Sequence, residues 1–526
     1  VPNRRERLTG EDTQAAGAYV AYPKKGLHDW VGSIDINSLY PSAIRALNMG
    51  NETIVGQLRP TMTDRHIKSS QAKGKSFAMA WEGMFGSMEY EAVMSKDVSV
   101  EITIDWNTGE ESHHSAADIW KMIFDSNKQW MLSANGTIFT YEFEAVVPGL
   151  LKRWYAERKE MQAKMRDAKD EKERAFWDKR QLVKKINLNS LYGAILNPGC
   201  RFFDKRIGQS TTLVGRSIAK HMDAHVNELI AGEYDHRGKA IIYGDTDSAY
   251  FSAWPMIEKE NIKFDKETAI QLYDQIAESC NESFPKFMYK AFHCPEEYGA
   301  LIKSGREICG VKGLFITKKR YAVMIYDNEG RRVDVEGKPG KIKAMGLDLK
   351  RSDTPKIIQD FLTEILHDVL TGANKEQVTE KILQFKHEFK ERPGWEKGTP
   401  KRVNNLTKYT KEEKRLGKAN MPGHVRAGMN WNTMRRMNND KYSLECIDGM
   451  KVIVCKLKSN PMGWTSIAYP TDETHIPQWF KDLPFDGEAM EATVVDQKIE
   501  NLLGVLNWNL AAATQTANTF NSLFEF

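Results

Sequence analysis

Two carboxylates one residue apart, Asp245 and Asp247, are the first side chains whose type and spacing suggest chemistry. They lie in the stretch IIYGDTDSAY, between two short apolar runs. Apolar runs on either side of Gly and Asp predict two strands joined by a turn at 244–247. Such a turn needs no ligand, but a cation such as Mg²⁺, which prefers hard oxygen ligands, would offset the repulsion between the carboxylates.

A third carboxylate, Asp35, ends a predicted strand in SIDINSLYPS. A helix is predicted to begin near Ser38, because Ser suits a helix cap and Pro suits a first helical turn. First-turn N–H groups have no partner inside a helix, so the backbone around Ser38, Leu39 and Tyr40 could face an anion while Asp35 holds a metal. Taken alone, Asp35 would equally suit an ordinary strand end.

Polar residues recur every fourth position in QLVKKINLNSLYGAILN. A helix would place Lys185, Asn189 and Tyr192 along one face. Lys can act as a point charge on phosphate, and Tyr can offer a flat surface to a base. The alternative is an amphipathic helix with a solvated Lys face, although such a helix requires neither the Asn nor the Gly of NSLYG.

The elements that must position these residues are a mixture of strands and helices, which predicts a mixed α+β fold. Two long charged helices from Gly149 to about Leu196 flank the polar stretch DAKDEKER, and they predict a helical hairpin. Farther on, KVIVCKLK and WTSIAYP are predicted strands.

Two helices are predicted between 354 and 390. Thr354 suits the cap of the first, Pro355 its first position and Gly372 its end. Asn374 and Gln377 have the spacing of a capping box at the start of the second.

Composition excludes several classes of protein. The 526 residues are 41% hydrophobic and 28% charged, enough for a substantial core and several domains. No run of about 18 apolar residues predicts a membrane span, and VPNRRERLTG lacks the apolar region of a secretory signal. The six cysteines are scattered without C-x-x-C spacing, which argues against zinc or disulfides and favours a reducing cytoplasm.

The net charge of +4 is small, but basic clusters recur at KKRY, GKPGKIK and TKYTKEEKRLGK.

Three stretches in this order, DINSLYPSAIR, KKINLNSLYG and YGDTDS, resemble motifs A, B and C of family B DNA polymerases. GAYV, VVPGLLKRWYAERKE, KKRYAV, IKAMGLDLKRSDTPK and FNSLFEF extend the resemblance over essentially the whole chain, toward polymerases of T-even-type bacteriophages. The resemblance implies a right-hand fold with an opening segment at 1–28, a palm at 29–148 and 197–353, fingers at 149–196, a thumb at 354–518 and a clamp-binding tail at 519–526.

The resemblance implies a replicative, phage-encoded DNA-directed DNA polymerase that extends a primer 3′-OH with dNTPs on a primer–template, using two Mg²⁺ ions. Asp35 and Asp247 would ligate both ions and lie opposite each other, with the Ile36 carbonyl as a further ligand and Asp245 beside them. The nucleotide site would comprise Ser38, Leu39, Tyr40, Arg158, Lys185, Asn189 and Tyr192. The DNA site would comprise Glu307, Lys318, Lys319, Arg320 and Tyr321.

The resemblance also assigns individual roles. Tyr40 would exclude a ribose 2′-OH, Tyr192 would support the templating pair, and Glu307 would lie close to the metals. One departure concerns the second cation that the family usually carries one turn after the equivalent of Arg158. Here that position is Gln162, with lysines nearby.

The aromatic C-terminal end is either a frayed tail or, as the resemblance implies, a peptide that docks Phe520, Leu523, Phe524 or Phe526 into a sliding clamp. Full-length polymerases of this group carry an exonuclease lobe before the palm, whereas this sequence begins just before the predicted palm, and its Asp-x-Glu pair at 334–336 lies in a Gly- and Lys-rich stretch. We therefore expect no intrinsic proofreading. A separate exonuclease chain would supply it, unless this chain is an excised fragment, and both would act in the host cytoplasm without a membrane.

Two other functions fit parts of the pattern. A metal-dependent nucleotidyl-sugar transferase also uses an Asp-x-Asp turn, but it would not need the Lys-x-x-x-Asn-Ser-Leu-Tyr-Gly helix. A catalytically inactive DNA-binding or clamp-tethered subunit would not need the complete set of predicted metal ligands. Primer extension in the presence of Mg²⁺ separates both from a polymerase.

Overall fold

The computed structural model describes residues 17–60, 72–73, 101–261, 263–335, 337–417 and 420–508. These residues have the mixed α+β fold that the sequence predicts. The chain divides into two compact units, the first formed by Val1–Lys24, Asp29–Gly310 and Tyr326–Val333, the second by Lys25–His28, Val311–Ile325 and Asp334–Phe526. Within the described ranges, every helix falls short of the length and apolarity that a membrane crossing needs.

The strands and helices are numbered in chain order. The strands are β1 (Gly26–Ile36), β2 (Ile54–Pro60), β3 (Glu101–Trp106), β4 (Glu111–Ser115), β5 (Trp130–Leu132), β6 (Thr137–Thr140), β7 (Ile241–Asp245), β8 (Ser248–Ser252), β9 (Ser304–Thr317), β10 (Arg320–Asn328), β11 (Arg331–Arg332), β12 (Lys341–Met345), β13 (Thr399–Arg402), β14 (Lys451–Lys456) and β15 (Ser466–Pro470). The helices are α1 (Leu39–Ala46), α2 (Ala116–Phe124), α3 (Val146–Arg166), α4 (Glu171–Ile195), α5 (Lys205–Ala231), α6 (Trp254–Glu260), α7 (Lys266–Phe292), α8 (Glu296–Gly299), α9 (Lys356–Leu370), α10 (Lys375–Lys390), α11 (Leu406–Leu416), α12 (Gly423–Met437), α13 (Gln478–Lys481), α14 (Gly487–Glu491) and α15 (Gln497–Leu503).

The strands form three sheets. The largest has the order β11-β10-β9-β1-β8-β7, with β12 paired to β10. A second sheet in the first unit has the order β4-β3-β2-β6-β5 and packs its apolar face, including Leu58, Ile104 and Ile138, against Ile119 of α2. The sequence patterns did not predict the strands of this second sheet. The third sheet, β13-β14-β15, lies in the second unit and contains both strands predicted there.

The helical hairpin predicted from the charged stretches is present as α3 and α4. The Asp170 carboxylate accepts a hydrogen bond from the Glu173 N–H at 2.8 Å and caps α4. An ion pair of 2.5 Å between Lys184 and Glu157 joins the two helices. Helix α4 continues through Gly193, where an added Cβ would meet no atom within 4 Å. The space beside Gly193 is therefore open in the protein alone.

The first helix of the predicted pair between 354 and 390 begins one residue later than predicted. Pro355 is at the cap position, and the Thr354 hydroxyl is buried without a hydrogen-bond partner in the described part of the chain. Gly372 has a φ of +101° just beyond the end of α9, as a helix-ending glycine should. The predicted capping box of Asn374 and Gln377 is confirmed, with both hydrogen bonds present.

Candidate active site

The two neighbouring carboxylates lie at the turn of the β7–β8 hairpin, as predicted. Asp245 ends β7, so the turn is shorter than the sequence suggests. Thr246 adopts a left-handed φ of +62°, and the Asp247 N–H donates to the Asp245 carbonyl at 2.7 Å. The Thr246 N–H donates to the Tyr19 carbonyl at 2.8 Å, which fixes the outer side of the turn.

The strand that carries Asp35 pairs with this hairpin. In the antiparallel register of β1 and β8, Asp35 lies opposite Ser248, and the Ile36 N–H donates to the Asp247 carbonyl at 2.8 Å. Ser248 is thus the cross-strand partner of Asp35, and Asp247 precedes Ser248 in the turn. The strand end of β1 and the turn of the hairpin lie side by side.

The carboxylates near the turn form a region of negative potential. Burial, together with the neighbouring Asp245 and Glu307 carboxylates, raises the pKa of Asp247 to about 6. Asp245 accepts hydrogen bonds from the Tyr243 hydroxyl at 3.2 Å and the Thr246 hydroxyl at 3.1 Å. These two hydrogen bonds keep the Asp245 carboxylate close to β7 and to the turn that follows it.

Glu307, on β9, is held by a residue that sequence analysis missed. The Ser33 hydroxyl donates to the Glu307 carboxylate at 3.1 Å, and Ser33 is fully buried. Ser33 precedes Asp35 by two residues on β1, so the period of a strand places both side chains on one face. The two-residue period of a strand could have indicated that Ser33 and Asp35 share a face. It could not have identified Glu307 as the hydrogen-bond partner of Ser33.

The donor set fits a hard divalent cation. In the described ranges, no three His, Cys, Asp or Glu side chains gather closely enough to hold a metal by themselves. Mg²⁺, however, is commonly held by one or two carboxylates, while substrate phosphates and water complete its shell. A cation would also relieve the repulsion that raises the pKa of Asp247. The Ile36 carbonyl remains a predicted ligand.

Helix α1 begins directly after β1. Ser38 is at its cap position in a left-handed conformation, with φ +50°, but its side chain makes no capping hydrogen bond. Ser38 therefore occupies the predicted cap position, but it lacks the side-chain hydrogen bond that usually favours serine there. Leu39 is buried, and its neighbour Tyr40 is partly buried.

The rings of Tyr40 and Tyr192 lie against each other. Their ring centroids are 4.6 Å apart, and the Tyr192 hydroxyl shares a hydrogen bond with Thr212 of α5. An added Cβ at Gly215 would lie 2.9 Å from the Tyr40 ring, so that glycine leaves room for the ring. Burial, then the neighbouring Tyr192 and Asp247, raise the pKa of Tyr40, so its hydroxyl stays neutral.

The predicted phosphate-binding residues lie on the helical hairpin. Arg158 on α3 donates through its Nε to Gln181 on α4 at 3.2 Å, whereas Lys185 and Asn189 are exposed on α4. No hydrogen bond or ion pair among the described residues joins these three side chains to the carboxylates of the β7–β8 turn. Lys164, one of the lysines near Gln162, pairs with Glu160 at 2.6 Å.

The KKRY cluster forms the turn between β9 and β10, in the second unit. Lys318 precedes Lys319, which has a left-handed φ of +60°. An added Cβ at Gly346 would lie 2.1 Å from the Lys319 carbonyl, so only glycine fits beneath this turn. Arg320 lies 3.7 Å from the Asp348 carboxylate. Tyr321 stacks on Phe315 with centroids 5.4 Å apart and is 6% exposed, so its ring serves packing.

The predicted clamp-binding residues and the second acid of the Asp-x-Glu pair lie outside the described residues. These residues are Phe520, Leu523, Phe524, Phe526 and Glu336.

Residues 1–416 match the family described as DNA polymerase family B. The chain is 27% identical over 485 residues to the DNA-directed DNA polymerase of Enterobacteria phage T4, covering 88% of the chain and 52% of that protein. It is 28% identical over 495 residues to the DNA-directed DNA polymerase of Escherichia phage RB69, covering 89% of the chain and 52% of that protein.

A more distant relative is the DNA polymerase of Pyrococcus glycovorans, which is 26% identical over 394 residues, or 73% of the chain and 36% of that protein. The chain thus spans about half the length of the two phage relatives. Since the family match extends over well more than half of the sequence and includes the β1 strand end, the α4 helix and the β7–β8 turn, this chain belongs to DNA polymerase family B.

Proposed function

We propose that this chain is a DNA-directed DNA polymerase that extends the 3′-OH of a primer with dNTPs. The observation that carries the proposal is the hydrogen bond from the Ile36 N–H to the Asp247 carbonyl, which joins two carboxylate-bearing segments at one point. The family match and the printed activity of the two phage relatives support the same reaction.

Asp35 and Asp247 would hold two Mg²⁺ ions, which lower the pKa of the primer hydroxyl and stabilise the departing pyrophosphate when bound. The chain's own contribution is positioning and charge. The backbone of the first turn of α1, around Ser38 and Leu39, presents N–H groups to the triphosphate. Burial, and then the Asp245 and Glu307 carboxylates, raise the pKa of Asp247 to about 6, so a bound cation would stabilise its charged form.

Side chains on the helical hairpin would bind the triphosphate. Arg158 offers a planar guanidinium, Lys185 a point charge, and Asn189 lies one turn farther along α4. Tyr40 would pack under the sugar, with Tyr192 against its ring and near the templating base. When a nucleotide binds, the side chains of the helical hairpin would move closer to the carboxylates of the β7–β8 turn.

We infer palm, fingers and thumb regions with the boundaries that the resemblance implies, and we assign Lys318, Lys319, Arg320 and Tyr321 to the primer–template. For Tyr321, whose ring is packed, the backbone or hydroxyl is the proposed contact. A sliding clamp, bound by the C-terminal tail, and a separate exonuclease chain are proposed partners of a replicative phage enzyme in the host cytoplasm.

The test is extension of a labelled primer by the purified chain in the presence of Mg²⁺ and dNTPs. Asp35→Asn and Asp247→Asn should each reduce the extension rate by about 10²-fold or more, because each removes electrostatic stabilisation of the transition state. Binding of primer–template, measured by fluorescence anisotropy, should change little. Asp472→Asn, an exposed carboxylate elsewhere in the chain, is the matched control and should extend normally.

Two outcomes would contradict the proposal. A parent protein that binds primer–template but never extends it would be an inactive DNA-binding subunit. Near-normal turnover in both Asp35→Asn and Asp247→Asn would place the active site elsewhere.

A further inference from the structure

Helix α7 holds the beginning of strand β9 through a side-chain amide. Asn281, on α7, accepts a hydrogen bond from the Ser304 N–H at 2.7 Å and donates to the Ser304 carbonyl at 3.1 Å. The amide thus pairs with both backbone groups of one residue, as the peptide of a neighbouring strand would. Ser304 is buried, so leaving these two groups without a partner would cost free energy.

The chain beyond Ser304 gains no support from a packed side chain. Gly305 comes next, and a Cβ added there would meet no atom within 4 Å. The Ser304 hydroxyl makes a longer hydrogen bond to the Ala277 carbonyl of the same helix, at 3.4 Å. The start of β9 is therefore tied to α7, and the Asn281 amide makes the closest of these contacts.

The residue before Ser304 contacts the segment that follows Asp35. The Lys303 carbonyl accepts a hydrogen bond from the Asn37 N–H at 2.8 Å. The Asn37 carbonyl in turn accepts from the Ser42 hydroxyl at 3.1 Å. Asn37 is thus held by both of its backbone groups, between the start of β9 and helix α1.

Helix α1 needs such support because its own cap is incomplete. Ser38 has a left-handed φ of +50° and no side-chain capping hydrogen bond. A residue other than glycine keeps this conformation only where the surrounding structure fixes it. The two backbone hydrogen bonds of Asn37, directly before Ser38, are contacts of that kind. They help to set the direction of the first-turn N–H groups of α1, which have no partner inside the helix.

We propose that Asn281 is a positioning residue for the incoming nucleotide. It holds Ser304, the adjacent Lys303 carbonyl fixes Asn37, and the first-turn N–H groups of α1 stay aligned with the triphosphate. Asn281 acts through the backbone and does not itself touch the nucleotide. The proposal rests on the proposed function, because it takes a dNTP to bind at the start of α1.

The experiment compares Asn281→Ala with the parent protein at saturating primer–template. KM for dNTP should rise roughly two- to tenfold, the factor that one hydrogen bond between neutral groups contributes. KM for pyrophosphate in the reverse reaction should rise by a similar factor, since its phosphates would contact the same N–H groups. We expect kcat, and the affinity for primer–template measured by fluorescence anisotropy, to stay close to the parent values.

Nucleotide binding is also measured without chemistry. The protein is bound to a primer–template whose primer ends in a dideoxynucleotide, so that no bond can form. The Kd of the next correct dNTP is then read from the fluorescence of 2-aminopurine in the template. In Asn281→Ala this Kd should rise by the same factor as KM.

Asn432 provides the matched control because it makes the same pair of hydrogen bonds elsewhere. In the second unit, its amide accepts from the Cys446 N–H and donates to the Cys446 carbonyl, both at 2.8 Å. Asn432→Ala should therefore lower the Tm about as much as Asn281→Ala does. It should leave KM and Kd for dNTP at the parent values.

Ser42→Ala removes the other hydrogen bond to Asn37 and provides a second test if Asn281→Ala does not fold. KM for dNTP should rise in this variant as well. A parent-like KM in folded Asn281→Ala, or in Ser42→Ala if Asn281→Ala is unfolded, would overturn the proposal. An equal rise in Asn432→Ala would overturn it too, since general loss of stability would then explain the effect. A loss confined to kcat would place the effect of Asn281 at Glu307, and that result would also reject the proposal.

The proposed function and the role of Asn281 can fail separately. If the parent protein extends no primer, yet Asn281→Ala weakens dNTP binding to the blocked primer–template, the polymerase activity is lost and the positioning role stands. If extension proceeds with the same KM and Kd in all variants, the positioning role is lost and the polymerase stands.

Discussion

Glu307 accepts a hydrogen bond from the buried Ser33 hydroxyl, which helps to position its carboxylate. Replacing Ser33 with Ala should lower kcat for primer extension by roughly tenfold, because a hydrogen bond to a charged group is worth about 1.5–3 kcal/mol. KM for dNTP should change little, since the Ser33 side chain is fully buried and donates to Glu307. Steady-state kinetics at saturating primer–template measure both constants.

The matched variant is Ser33→Thr, which keeps the hydroxyl and should retain most of kcat. Equal losses in Ser33→Ala and Ser33→Thr would mean that Ser33 serves packing alone. Parent-like kcat in Ser33→Ala would mean that Glu307 needs no support from this residue.

The Tyr40 ring should decide between deoxyribose and ribose. Tyr40→Ala removes the ring that lies 4.6 Å from Tyr192, so the variant should accept ribonucleotides more readily. The measurement is the ratio of kcat/KM for dCTP to that for CTP. Tyr40→Phe keeps the ring and should keep the parent ratio; an unchanged ratio in Tyr40→Ala would reject Tyr40 as the discriminating residue.

The sequence could identify residues with distinctive chemistry but not the groups that support them. Asp35, Asp245 and Asp247 were found because carboxylates at strand ends and turns are conspicuous. The hydroxyl groups of Ser33 and Tyr243 were missed, since a hydroxyl acquires its role only from a neighbour on another strand. Cross-strand neighbours depend on register, which local sequence does not specify.

Elements were predicted well where their signals are local. The α3–α4 hairpin has long charged helices, and α10 has a capping box, so both follow from nearby residues. The five-stranded sheet of the first unit was not predicted, because strands such as ESHHS in β4 are polar and short. Such strands gain their stability from pairing with distant segments, as β2 does with both β3 and β6.

The packing of α5 against α7 should make stability depend on pH. His221 on α5 hydrogen-bonds to the hydroxyls of Tyr234 at 2.7 Å and Ser283 at 2.9 Å and stacks on Phe287. Burial, with a smaller effect from His225, lowers the pKa of His221 to about 3.

Between the folded pKa of about 3 and the unfolded value of 6.5, the unfolded chain binds the additional proton. The free energy of unfolding should therefore fall as pH falls through this range, by up to about 1.4 kcal/mol per pH unit from this group. Above pH 6.5, the free energy of unfolding should not depend on the protonation of His221.

Urea unfolding at several pH values measures this dependence. His221→Gln should flatten it, whereas His475→Gln, at an exposed histidine, should leave it unchanged. The same pH dependence in His221→Gln and the parent would contradict the assignment.

The net charge of the whole chain does not indicate its ligand. A net charge of +4 would not by itself indicate nucleic acid, yet cations are concentrated in the KKRY turn. The chain also spans about half the length of its phage relatives. What the isolated chain does therefore has to be measured on the chain itself.

The last prediction is that the isolated chain does not shorten a mismatched primer. Excision requires a carboxylate cluster of its own to hold metal ions at a second site. The Asp-x-Glu pair that could begin such a cluster starts at Asp334, two residues beyond β11, and is followed by Gly337 and Lys338. This stretch is expected to be a loop and not a nuclease site.

The measurement is incubation of the isolated chain with a mismatched primer–template and Mg²⁺, without dNTPs or pyrophosphate, followed by electrophoresis of the labelled primer. A matched primer is the substrate control, and Asp334→Asn/Glu336→Gln is the variant control. Primer shortening that survives Asp35→Asn but disappears in Asp334→Asn/Glu336→Gln would show a nuclease site at this pair and contradict the prediction. Shortening that survives both substitutions would contradict it too, and would place a nuclease elsewhere in the chain. A primer that stays intact is the expected result, since hydrolysis needs carboxylates arranged to activate water and not merely spaced by one residue.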